Sequence, residues 1–262
     1  MRESTNSART IKLILLAISI ATFTMPAFAQ TTIRGLPNDA VVIETRKLIS
    51  TAHPNRQLVL WMVNPKKNPT NYAPDDIYTC PDQSRGSHYS GPTRVSLVDS
   101  QTNKIINTLK ILREYEDGED SFDLPYAIRR GYYYRVESVT GGETKPNIIW
   151  LRDLNGDGKA LEFVLFDAVA CMGLETTLIG YSEKQDRVIQ YPINLDTVQG
   201  AKHSSRTSLW ADYLFNKKPL RLGYWKYEID YRGRAGTLDK WEVHYNATRE
   251  RFEGTLTIIE GD

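Results

Sequence analysis

Histidine and cysteine, the side chains that most often carry metal or nucleophile chemistry, are scarce here: four and two in 262 residues. His53, His88, His203 and His244 form no HxH or HxxxH pair, which excludes the ligand spacing of a zinc enzyme. A GxSxG elbow, a Walker loop and a dinucleotide fingerprint are all missing, so the common signatures of acyl transfer, phosphoryl transfer and hydride transfer are absent. Excess charge of one sign is lacking too. Thirty-three Lys and Arg meet 32 Asp and Glu, and no global basic field exists to gather nucleic acid or an anionic membrane.

Long apolar runs are equally few. One stands near the start, "IKLILLAISIATFTM", behind Arg2, Arg9 and Lys12, and is followed by "PAFAQ" with Ala27 and Ala29 in an A-x-A arrangement. Residues 1–29 therefore read as a secretory signal peptide cut near Ala29, because the run is shorter than the roughly 20 residues a spanning helix needs. The expected location is exported, periplasmic or secreted. Taking 29 residues from 262 leaves 233, with 30 basic and 31 acidic side chains and a net charge of −1. No segment of that mature chain is apolar enough to span a bilayer as a helix.

Both cysteines, Cys80 and Cys171, fall in the mature part. Two cysteines in an exported chain suit one disulfide better than two buried thiols. Such a bridge would pin the Pro-, Asn- and Gly-rich stretch 64–92 and contribute up to about 4–5 kcal/mol in the chain-entropy model.

What the chain has in quantity is short strand signals. "RQLVLWMV" at 56–63 is an apolar run of strand length, and "TRVSLVD" and "KIINTLKIL" form a hairpin across "SQTN". "GYYYRVES", "NIIWLRD" and "LEFVLFDA" read as further strands, and "TTLIGYS" and "RVIQYPI" as a second hairpin. The acidic stretch "EYEDGEDSFD" at 114–123 reads as a solvated turn. At the end, "YWKYEIDYR", "KWEVHYN" and "RFEGTLTII" alternate apolar and polar residues, the pattern of a meander with one face on a core and one in water. A helix is expected at 204–218, from the spacing of Leu209, Trp210, Tyr213 and Leu214, while 38–50 fits helix or strand. The expectation is a single mainly β domain at 30–262: an antiparallel β meander, sandwich or small propeller-like, with one or two short helices.

The stretch that looks built for chemistry is "RDLNGDGKALEF", residues 152–163. Side-chain oxygens of Asp153, Asn155 and Asp157 recur every second residue between two strand signals. Gly158 permits a sharp turn after the third, the carbonyl of Lys159 adds another oxygen, and Glu162 completes the set. All-oxygen ligands on a tight loop suit calcium; the same composition also makes a metal-free turn held by its own side-chain hydrogen bonds. The loop is not an EF-hand, since the twelfth position, counted from Asp153, is Val164 and its flanks are not helical. "DLNGDGK" resembles the calcium loops of FG-GAP and VCBS-type extracellular repeats, in which such a loop joins two strands. In those loops an acidic residue stands at the ninth position, here Leu161 with Glu162 next. The resemblance covers this loop alone, and it implies a structural calcium ion.

Two functions follow as expectations. One is a non-catalytic exported β-protein, with one structural calcium and one disulfide, that binds an extracellular protein or a glycan; its Tyr- and Trp-rich strands suit either sugar contact or a core. The alternative is a secreted hydrolase with its site in the 64–92 loop, around Asp75, Asp76, Arg85 and His88.

Overall fold

The computed structural model describes residues 33–68, 88–111, 121–125, 148–166, 175–209, 211–212, 214–232 and 236–261. All of them belong to the compact unit Thr32–Asp262. The proposed signal peptide, both cysteines, Asp75, Asp76, Arg85, "GYYYRVES" and most of the acidic stretch lie outside the described residues.

Strand follows strand. In chain order they are β1 (Ala40–Lys47), β2 (Arg56–Val63), β3 (Lys66–Asn68), β4 (His88–Asp99), β5 (Lys104–Ile111) and β6 (Ser121–Pro125). Then come β7 (Glu162–Phe166), β8 (Glu175–Ser182), β9 (Arg187–Gln190), β10 (Ile193–Gln199), β11 (Lys202–Ser208) and β12 (Ala211–Asp212). A 3-10 turn at Leu214–Asn216 precedes β13 (Tyr224–Asp230), β14 (Thr237–Asn246) and β15 (Arg251–Glu260). The first six strands form one sheet, in which β1, β2, β4 and β5 are neighbours. β12, β8 and β7 form a second sheet with β9 on β8, and the third runs β11-β10-β15-β14-β13. The fold is mainly β, and its layering is that of a sandwich.

The second sheet is the middle layer, and its sequence explains why. "EFVLF" and "TLIGY" are nearly continuous apolar runs, as expected for strands covered on both faces. Phe163, Leu165, Ile179, Tyr181 and Val188 point one way, onto Leu58, Leu60, Met62, Val95 and Leu97 of the first sheet. Val164 and Leu178 point the other way, into a second core with Ile193, Phe215, Trp225, Trp241 and Phe252. The C-terminal strands alternate as read: Trp225 and Val243 are buried, whereas Lys226, Glu242 and His244 face water. Their aromatic rings fill that core, with Phe252 in edge contact with Tyr191, Phe215 and Trp225.

Three readings need correction. The stretch 204–218 is not a helix: its first part lies in β11, and among its described residues only Leu214–Asn216 is helical, as a 3-10 turn. Almost every side chain of β11 is exposed, so neither face writes a pattern; main-chain pairing with β10, through a turn at Gly200 (φ 58°), defines the strand instead. The lead-in to the acidic loop is no strand either: within 148–152 the β-bridge is confined to Arg152, which pairs antiparallel with Glu162. The 64–92 stretch is not wholly irregular, because β3 and the start of β4 lie within it and pair with each other. The ambiguous 38–50 segment is resolved as strand β1. The third sheet is mixed, for β15 runs antiparallel to β14 but parallel to β10.

Candidate functional site

The Arg152–Glu162 bridge closes the acidic loop. Arg152 N–H donates to the Glu162 carbonyl at 2.7 Å and Glu162 N–H to the Arg152 carbonyl at 3.1 Å. Between them the chain turns on Gly156 (φ 82°) and Gly158 (φ 86°), a region where a β-carbon is costly. The side chains hold the turn. Asp153 accepts from Gly156 N–H at 2.7 Å through Oδ1 and from Gly158 N–H at 2.9 Å through Oδ2. Asn155 Oδ1 accepts from Asp157 N–H at 2.9 Å, and Asp157 Oδ1 from Lys159 N–H at 2.9 Å. Oxygens on alternate residues thus each reach the main chain two to five residues on, which is why Asp and Asn alternate with small residues here.

Lys159 contributes elsewhere with its side chain. Its ammonium forms an ion pair with Glu183, whose other oxygen accepts from Ser50 Oγ at 2.5 Å. These two hydrogen bonds hold the Glu183 carboxyl below its ordinary range. Its carbonyl, the expected ligand, accepts the N–H of Leu161 at 3.1 Å.

Glu162 is the unusual member. It is 0% exposed, although it opens β7 in an apolar run. Its carboxyl accepts from Leu154 N–H at 3.0 Å and from Asn155 Nδ2 at 3.1 Å. Gly180 lies opposite it on β8, and a β-carbon there would fall 2.9 Å from both Glu162 Cγ and the Tyr191 ring. The glycine therefore makes the room in which the carboxyl sits. Burial, opposed by the Leu154 and Asn155 hydrogen bonds and helped by the nearby charges of Asp157 and Asp153, pushes its pKa up to about 8. The same cluster acts on its neighbours: the Tyr191 hydroxyl is held well above its ordinary value by burial and by Glu162. Tyr245, hydrogen-bonded to Asn155, is also raised, chiefly by burial.

The loop is docked as well as closed. A β-carbon on Gly156 would fall 2.9 Å from the Leu222 carbonyl oxygen, and one on Gly223 only 2.5 Å from the Asn155 carbonyl oxygen. Main chain lies directly on main chain, and Gly223 in turn accepts the Tyr245 N–H at 2.8 Å. The sequence reading missed this partner turn; "LGY" after two lysines was its only signal.

Asp153, Asn155, Asp157, Lys159 and Glu162 are thus brought into one loop, and their oxygens are of the kind calcium takes. In the arrangement described, each carboxylate is turned to main-chain N–H groups, and among the described residues no three acidic, histidine or cysteine side chains converge as a metal cluster. The match is one of donor chemistry rather than of convergence. Of the histidines, His203 and His244 are exposed on β11 and β14, and His53 meets Tyr181 edge-on at 6.4 Å between ring centres. His88 opens β4.

A second cluster was not read from the sequence. Arg56 joins Asp99 at 2.8 Å and Asp186 at 2.7 Å, and Tyr181 donates to Asp186 at 2.7 Å. It ties the first sheet to the turn between β8 and β9. No family model, no curated protein and no solved structure matches the chain.

Proposed function

We propose that this chain is an exported, non-catalytic β-protein whose loop 153–162 holds one structural calcium ion, and whose task is to bind an extracellular protein or a glycan. The observation that carries the calcium reading is the buried carboxyl of Glu162 beside Asp153 and Asp157. Three acidic groups share one short loop, and its own lysine is turned to Glu183. The charges of Asp157 and Asp153 already act against ionisation of Glu162, and a cation in the loop would offset that repulsion. Asp153, Asn155, Asp157, Glu162 and the Lys159 carbonyl would hold the ion; the ion would supply charge neutralisation and loop rigidity. Asp153, Asp157 and Glu162 each accept from main-chain N–H groups of the loop, which is work for a scaffold rather than for a reaction.

A second reading has its own support. The four side-chain hydrogen bonds within the turn hold it without any metal. Titration calorimetry with calcium chloride separates the two. Binding of one ion per chain, abolished by Asp157→Ala, is expected; no heat at millimolar calcium leaves the loop a simple turn. Export is tested apart from this: protein from the native host should begin at Gln30, and chain retaining Met1 in the cytoplasm would contradict it.

A further inference from the structure

The near-zero net charge of the chain hides a local concentration. In the turn Lys217–Leu222, five of six consecutive residues are exposed, Pro219 being half-buried. Three of the six are cationic: Lys217, Lys218 and Arg221. Two are leucines, 69% exposed at Leu220 and 59% at Leu222.

The turn is held rigidly from beneath. The Trp225 indole, whose residue is fully buried, donates to the Lys217 carbonyl at 2.9 Å. Leu220 N–H donates to the Tyr224 carbonyl and Tyr224 N–H to the Arg221 carbonyl, both at 2.9 Å. The Arg221 guanidinium lies 5.4 Å above the Tyr224 ring. At its base, Gly223 is seated on Asn155, so the main chain cannot shift inward to bury the leucines without a clash. Among the described residues, the acidic groups of the neighbouring loop, Asp153 and Asp157, and Glu242 lie on this side. The last accepts from the Tyr224 hydroxyl at 2.7 Å and pairs with Lys226.

An exposed turn that sets two apolar side chains among three cations presents both chemistries that an anionic lipid boundary offers. It matches a fluid surface that takes leucines into its apolar boundary while phosphates meet the lysines and the arginine. We propose that Lys217–Leu222 is an anchoring tip that inserts Leu220 and Leu222 into an anionic lipid surface, with Lys217, Lys218 and Arg221 on the phosphates. The anchoring is peripheral and reversible, since two leucines and three cations are far short of a spanning segment. It does not rest on calcium in the neighbouring loop.

The test is flotation of the folded, mature chain with vesicles of pure phosphatidylglycerol or of pure phosphatidylcholine, in chelator so that calcium plays no part. The chain should float with phosphatidylglycerol and not with phosphatidylcholine, and added salt should release it. Leu220→Ser with Leu222→Ser should lower the bound fraction by about tenfold, and Lys218→Glu with Arg221→Glu by about as much or more. These positions are exposed, so melting should be unchanged and the loss not due to unfolding. The proposal is overturned if the wild-type chain stays at the bottom with phosphatidylglycerol, or if the double serine variant floats as well as wild type. Retention on immobilised polyglutamate without flotation would give the turn to an acidic protein partner and would also overturn it.

Discussion

Gly223 lies so close to Asn155 that a β-carbon on the glycine would stand 2.5 Å from the Asn155 carbonyl oxygen. Gly158, three residues along the same loop, has a similar positive φ but nothing within 4 Å of its β-carbon position. The pair separates backbone strain from steric contact. Gly158→Ala should cost only the strain, about 1 kcal/mol. Gly223→Ala adds a main-chain clash that no rotamer relieves, and should cost about 3 kcal/mol or more. Denaturant unfolding of both variants checks this; equal losses would mean that the docking of the two turns contributes nothing.

The clamp at Asp186 gives the molecule an acid limb. Hydrogen bonding from Arg56, with a smaller share from Tyr181, brings the Asp186 pKa down to about 2 against the burial that opposes it. A carboxyl lowered in the folded state stabilises fully above its unfolded value of about 4, and this is lost as pH falls toward 2. Because Asp186 is part-exposed, its share is about 1 kcal/mol. Asp186→Asn keeps the shape and tolerates the local φ of 47°. The variant should be less stable at neutral pH and should converge with wild type near pH 2. Parallel curves from pH 7 to pH 2 would show that the clamp has no electrostatic worth.

What could be read from the sequence follows from which faces are buried. β13, β14 and β15 have one wet face, so alternation wrote both strand and orientation into "YWKYEID", "KWEVHYN" and "RFEGTLTII". The middle sheet is dry on both faces, and its continuous runs gave strands but not layers. β11 is wet on both faces, so nothing but main-chain pairing marks it, and the Leu and Trp spacing beyond it imitated a helix. The parallel pairing of β10 with β15 joins residues about 60 apart, such as Ile193 and Phe252, and no local signal encodes it. At the site, the loop and its oxygens were legible from "DLNGDGK". The burial of Glu162 had a faint sign, a carboxyl inside an otherwise apolar run. Gly180 and Gly223, which make the space for it and for the loop, were not legible, because their role lies in what approaches them from other strands.

The calcium reading is tested most directly by melting the protein in excess calcium and in chelator, for wild type and for Asp157→Ala. At about 100 times the dissociation constant, a bound ion stabilises by about 2.7 kcal/mol. For a chain of this size that is a rise of about 5–10 °C in Tm. Wild type should show this rise and Asp157→Ala should show none, with Asp153→Ala like it and Asn155→Ala intermediate. Identical melting of the wild-type chain in millimolar calcium and in chelator would contradict the account, and would leave loop 153–162 as a turn held by its own hydrogen bonds.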